Sequence, residues 1–315
     1  YLQALSLSGG GGTEDLIALL DQALDMDEAF VSAHQLQSMF HADALVNTTS
    51  SDAIGIDERE RHVELARRHA QRAADLDPSL AWLPATVDAL PTWHWSQALS
   101  ALDSAPDPLD NPSIWLHSYV GEHEKAIERA RRAVALDPRS WVRLWTLSVA
   151  LAYAGEMSES ERVFREAIEL TPAVPVLHSW LAFVEIAQGD EESAATELER
   201  VERQLGQNRQ AVFLPELAYS YSRIGRRADV ERIAAEVRQV SDSVEIGSGG
   251  WAMVYLASDD RERAAEHLEA AIDKIENHEI DEGLWNLMNI RMNVTSDPVL
   301  EEPRFVELRN RLRGD

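Results

Sequence analysis

His34 and His41 stand seven residues apart, and so do His62 and His69. Seven residues are about two helical turns, so each pair shares a face but lies about 10 Å apart, too far for either pair alone to chelate one ion directly. His117 and His123 straddle Gly121 beside Glu122 and Glu124, the one place where imidazole and carboxylate donors come close enough in sequence for a metal test. Ordinary surface histidines are the expected reading, and no metal ligand is assigned. The Gly9 to Gly12 run lacks the Gly-Lys-Ser/Thr that would follow in a phosphate loop, so it reads as a flexible lead-in over residues 1–13, with Thr13 capping the first helix. Carboxylates are plentiful, yet none is spaced as a catalytic pair or as part of a Ser-His-Asp set, and Glu-rich helices present solvated faces by default. The residues thus propose no nucleophile, no general acid or base and no cofactor loop, and no enzymatic activity is expected.

The elements that carry these residues repeat. Gly121, Gly155, Gly189 and Gly225 follow one another at steps of 34, 34 and 36, and each precedes a buried-type residue by five: Ala126, Ser160, Ala194 and Val230. A further step of 34 reaches Asp259, with Ala264 five beyond, so the ladder continues with its glycine replaced. A period of this length is the mark of stacked helical hairpins. Leu147, Leu151 and Ala154 before Gly155, then Val163, Phe164 and Ala167 after it, have helical spacing, and Pro138 and Pro172 end second helices, so each unit reads helix, glycine turn, helix, proline turn.

On these residues the chain resembles the tetratricopeptide repeat family. Leu181, Ala182, Gly189, Ala194, Leu198 and Val201 fit one unit; Leu217, Ala218, Tyr221, Gly225 and Ala234 the next; Ala252, Tyr255, Ala264, Leu268 and Ala271 a third. Upstream, Ala66, Ala73 and Asp77-Pro78 supply the same ending, Trp95, Ala98 and Leu102 a degenerate unit, and Leu16, Leu20 and Ala23 the second helix of an incomplete first unit. The resemblance implies an all-α, right-handed superhelical solenoid of about seven units over residues 14–315. Its clearest repeats lie at 107–277, a long first-unit insertion at about 47–57, and closing helices at 281–313. It also implies that first helices line a concave groove, which puts Trp115, Tyr119, Trp145, Tyr153, Phe183, Tyr219 and Arg223 on that face. Aromatics with an arginine are the residue types that anchor partner segments. Trp82, Trp93, Trp95, Trp141, Trp180, Trp251 and Trp285 are expected as core or inter-repeat wedges.

The Trp93-His94-Trp95 element, the closing Ser296-Asp297-Pro298 and Glu302-Pro303-Arg304-Phe305 make the chain similar, more particularly, to the repeat regions that follow class III adenylate cyclase or winged-helix DNA-binding domains in bacterial signalling proteins.

A formal net charge of −26, from 55 acidic against 29 basic residues, repels phosphate backbones and anionic lipid heads, so neither nucleic acid nor membrane is an expected partner. The acidity belongs either to solvated outer faces and salt adaptation or to an acidic docking surface. The basic patches, Arg67, Arg68 and Arg72 or Arg309, Arg311 and Arg313, are interleaved with acids. Cysteine is absent, which excludes disulfides and thiolate sites. No apolar run reaches the 18 residues a membrane helix needs.

The resulting expectation is a non-catalytic scaffold or regulatory module that binds a protein or peptide segment in the aromatic groove. The alternative is a ligand-sensing domain that controls an attached cyclase or DNA-binding domain. Self-association through the N-terminal end is a further expectation, since an incomplete unit exposes apolar surface. The compartment follows from context: cytoplasmic if free-standing, periplasmic if attached through an upstream membrane span.

Overall fold

The computed structural model describes residues 13–46, 56–92, 95–103, 111–206, 213–242, 245–277 and 284–312. The glycine-rich lead-in, residues 47–55 of the insertion, Trp93, His94, the first residues of the expected closing helix (281–283) and Arg313 lie outside them. Among the described residues there is no strand, and no helix is long and apolar enough to cross a membrane. The fold is an all-α helical-repeat solenoid. It divides at residue 108 into two compact units, although the repeat reading ran without a boundary through residues 14–315.

The first unit contains α1 (Thr13–Met26), α2 (Val31–Val46), α3 (Ile56–Leu76), α4 (Leu83–Thr92) and α5 (Trp95–Asp103). α1 seals its apolar face against α2 through Leu16, Leu20 and Ala33, with Phe30, Leu36 and Phe40 around them. Gln37 of α2 reaches back to the Asp21 carboxylate (2.8 Å) and the Ile17 carbonyl (3.2 Å) of α1. α2 and α3 pack against each other, and the small residues Ala66, Ala70 and Ala73 are fully buried on α3. Asp77 then ends the helix, its carboxylate accepting from the Ser79 amide (2.9 Å) in a 3-10 turn opened by Pro78. Where a degenerate unit is expected, Trp95, Ala98 and Leu102 of α5 are buried.

Among the described residues the second unit contains six consecutive helix pairs. First helices are α6 (Asn111–Tyr119), α8 (Trp141–Tyr153), α10 (Pro175–Gln188), α12 (Phe213–Arg223), α14 (Ser248–Ala257) and α16 (Leu284–Met292). Second helices are α7 (His123–Leu136), α9 (Met157–Leu170), α11 (Glu191–Leu205), α13 (Arg227–Val240), α15 (Arg261–Glu276) and α17 (Pro303–Arg311). Five of the joints are one turn repeated. Gly121, Gly155, Gly189, Gly225 and the substitute Asp259 have φ of 86°, 82°, 79°, 70° and 56°. In each, the amide one residue on donates to a carbonyl five residues back, Glu122 to His117, Glu156 to Leu151, Asp190 to Glu185, Arg226 to Tyr221 and Asp260 to Tyr255, at 2.8–2.9 Å. That bond satisfies carbonyls a helix end would otherwise orphan, and it demands the left-handed residue before it. The position five beyond is buried in all five units, and Ser160 turns its hydroxyl to the Ser148 carbonyl of the preceding helix (2.8 Å). Val230, larger than its counterparts, is also buried, at 5% exposure.

Candidate functional site

The first helices of the second unit bring the aromatic side chains into one run of ring contacts. Centroids lie 6.4 Å apart from Trp141 to Trp145, 4.9 Å on to Trp115, 6.0 Å to Tyr119, 6.2 Å to Tyr153 and 5.5 Å to Trp180. Trp180 then meets Phe183 (5.7 Å) and Phe164 (6.5 Å). Edge-on contacts predominate, as the ring quadrupole favours. The run has two ends of different character. Trp115, Trp141 and Trp145 are half-buried, whereas Tyr119, Tyr153, Trp180 and Phe183 are buried.

The burial at the second end accompanies contacts from α16 and the turn after it. The Arg291 guanidinium donates to the Tyr119 carbonyl of α6, and Asn289 Nδ2 donates to the Glu216 carboxylate of α12 at 2.6 Å. Glu216 also accepts from Ser179 Oγ of α10 (3.3 Å). Farther on, the Tyr219 hydroxyl donates to Asp297 Oδ2 (2.9 Å), and Arg223 pairs with Asp297 Oδ1 (3.1 Å). Asp297 is itself buried and caps the 3-10 turn Pro298–Glu301 by accepting from the Val299 amide (3.0 Å). Of the seven residues expected on the concave face, Tyr119, Tyr219 and Arg223 therefore contact the chain's own closing segment. Tyr153 and Phe183 are buried beside them, and Trp115 and Trp145 keep solvent exposure. Sequence reasoning missed Glu216, Asn289, Arg291 and Asp297. Only the Asp-Pro spacing of Asp297 pointed to any of them.

Among the described residues no three His, Asp or Glu side chains converge as a ready cation cage. At the turn singled out for a metal, His117 is fully buried, not on the surface, because it lies on the inner face of α6. Its Nδ1 faces Glu122 (2.7 Å), which also accepts from Lys125 (3.0 Å), so the carboxylate there is already engaged. Burial outweighs the carboxylate and holds the His117 imidazole below its ordinary pKa. Burial also pushes Glu185 on α10 up to about 7, with Glu197 adding to the shift and Arg165, at 3.0 Å, opposing it.

The first unit corrects the reading of its histidines as well. His34, His41 and His69 are buried, and the pairs form between helices rather than along them. His34 Nδ1 meets His69 Nδ1 at 2.9 Å, and His41 Nδ1 meets His62 Nδ1 at 3.0 Å. Rings of His41 and His69 stack at 6.1 Å, which joins the two pairs into one cluster between α2 and α3. Burial lowers His41 to about 3 and His69 to about 4, with neighbouring imidazoles and Arg68 adding to the shift.

No protein-family model matches the chain, and no curated protein matches it in sequence. Among solved structures it is similar to a tetratricopeptide repeat protein from Parabacteroides merdae, at 17% identity over 76% of this chain and 94% of that one, with a TM-score of 0.50. It is similar to a chain of the APC/C hetero-tetramer Cut9-Hcn1 at 17% identity, over 91% of this chain and 54% of that one, with a TM-score of 0.60. Human IFIT1 in its dimer with m7Gppp-AAAA is also similar, at 13% identity over 86% and 70%, with a TM-score of 0.59. These likenesses give the fold: the helix pairs are stacked as in tetratricopeptide repeat proteins. The chain spans about half the length of the APC/C chain it matches.

Proposed function

We propose that the chain is a non-catalytic interaction module whose first-helix face in the second unit receives a segment of a partner protein. The observation that carries this reading is that the same face already grips a helix and turn of its own chain. It does so through a backbone carbonyl on Tyr119, buried carboxylate on Glu216, and the Tyr219–Arg223 pair. The partner anchors on the half-buried Trp115, Trp141 and Trp145 at the exposed end of the aromatic run, where large rings can lose further surface on binding. Its flanks are basic, because a net charge of −26 draws cations and speeds their approach. The same charge disfavours an RNA ligand of the kind bound by IFIT1. Joined to a cyclase or a winged-helix domain, the module would report partner binding to that output.

Affinity capture from a bacterial lysate, run in parallel with wild type and with Trp115→Ala plus Trp145→Ala, tests the reading. Proteins retained by wild type and lost by the double variant, at unchanged helicity, are the expected result. An identical retained set would remove the aromatic end as the binding surface. Thermal stabilisation by small-molecule pools with no protein retained would move the function to ligand sensing.

A further inference from the structure

The four-histidine cluster of the first unit has no part in the proposed interaction face. Its geometry is regular. Each step of seven up α2, from His34 to His41, is matched by a step of seven down α3, from His69 to His62, so the antiparallel helices hold two rungs of paired imidazoles. In each rung two Nδ1 atoms face each other at hydrogen-bond distance, 2.9 and 3.0 Å apart. A neutral imidazole has one lone pair and one N–H, so such a contact needs the two rings in opposite tautomers. In the first rung the assignment follows from the surroundings. His34 Nε2 lies 3.0 Å from the Glu28 carbonyl oxygen, which can only accept, so Nε2 carries the proton and Nδ1 offers its lone pair. His69 must then donate from Nδ1.

We propose that each rung is a binding site for one divalent late transition-metal ion, Cu2+ or Ni2+, held by the two facing Nδ1 atoms. At the usual metal–imidazole bond length, two nitrogens at a right angle are about 2.9 Å apart and at the tetrahedral angle about 3.4 Å. The rungs have the right-angle spacing, which square-planar and octahedral ions take and tetrahedral zinc does not. The contact from His34 Nε2 to a backbone carbonyl is the outer hydrogen bond that fixes a ligating histidine in its metal-binding tautomer. Loading needs no net loss of protons. The proton on His69 Nδ1 passes to its own Nε2, and two neutral imidazoles then bind the ion. Among the described residues no third His, Asp or Glu converges at either rung, so water completes the coordination, and the half-buried His62 gives solvent a route to the second. Arg61 and Arg68 of α3 act on His41 against a cation, and Arg68 acts on His69 as well, which sets charge repulsion against the two-imidazole bond at each rung. The balance predicts measurable but moderate affinity, with Cu2+ bound more tightly than Ni2+ and Ni2+ more tightly than Zn2+.

The test uses the full chain without a histidine tag, titrated with CuCl2 and NiCl2 and followed by calorimetry and, for copper, by electron paramagnetic resonance. Wild type should bind two ions above the background of a variant in which all four histidines are glutamine. His34→Gln plus His69→Gln should lose one, and His41→Gln plus His62→Gln the other, with circular dichroism confirming retained helices. The copper spectrum of each single-rung variant should show splitting from two equivalent nitrogens. Equal stoichiometry in wild type and the four-glutamine variant, or no binding to wild type, would overturn the proposal. Loss of both ions on removal of either rung alone would overturn the assignment of separate sites.

Discussion

The two units use the same helix-pair element to different ends. In the second, five joints share one turn to within 30° of φ, and the chemistry-bearing side chains are absorbed into packing and buried hydrogen bonds. In the first, the described connections share no common turn, and four imidazoles pair across α2 and α3. Regular repetition leaves little room for an unusual side chain, because each position must suit both neighbours. An irregular unit has no such constraint, and there a cluster of four imidazoles survives in the interior. The two Asp-Pro turns make the same point on a smaller scale. Asp77 is half-buried where it caps its three-residue turn, whereas Asp297 caps a similar four-residue turn while buried and also holds Tyr219 and Arg223.

Five substitutions would break or sharpen this contrast. The largest effect is expected from Trp180→Ala, which empties a fully buried site touched by Tyr153, Phe164 and Phe183. A loss of about 3–5 kcal/mol is anticipated. Hydrogen exchange should place it in residues 109–314 and leave the amides of α2 and α3 protected to the wild-type degree; equal loss in both units would deny their independence. Tyr219→Phe comes next, at about 1–3 kcal/mol, because it strips one donor from a buried carboxylate. Urea unfolding would detect it, and a neutral outcome would mean that Arg223 and the Val299 amide satisfy Asp297 without the tyrosine.

Glu185→Gln has an effect whose sign depends on pH. The folded-state pKa is raised from 4.5 to about 7, so the folded chain binds the proton more tightly than the unfolded one. Stability from this group is complete below the unfolded pKa and is lost as pH rises through the folded value. Glutamine should therefore melt a few degrees above wild type at pH 8 and coincide with it near pH 4.5. Parallel melting curves at all pH values would show that Arg165 fully compensates the buried charge. The smallest change is expected at the turns. Gly155→Ala should cost about 1 kcal/mol and Asp259→Gly should gain about 0.5 kcal/mol, since a left-handed backbone disfavours any Cβ. Beyond the added Cβ at Gly155 there is open space, so strain in φ is the sole cause there. Matching melting temperatures for all three proteins would remove that turn as a determinant of the repeat.

The turn ladder was readable from spacing alone, down to Asp259 in place of a glycine, because local backbone geometry is dictated within a few residues. The burial of the second helices' small residues followed for the same reason. Contacts with large sequence separation were not readable. Arg291 reaches Tyr119 across 172 positions, and no local pattern encodes which carbonyl a guanidinium meets. The histidine rungs sit between these cases. Their common seven-residue spacing is visible in the sequence, but it relates residues along one helix, and the pairing that forms depends on the register of α2 against α3 across a long connection. Trp82, Trp95 and Trp180 lie in the core as expected, whereas Trp141 and Trp251 remain partly open.

The aromatic run also has an optical consequence. Trp141, Trp145 and Trp115, at centroid separations of 6.4 and 4.9 Å, exchange electronic excitation far faster than they emit, and excitation of Tyr119 and Tyr153 runs downhill into the tryptophans beside them. The emission of this stretch is a shared property of its members. A quencher or a binding partner that touches only the solvent-facing tryptophans would drain fluorescence from rings that it never contacts, giving the protein a built-in reporter of occupancy at its exposed end.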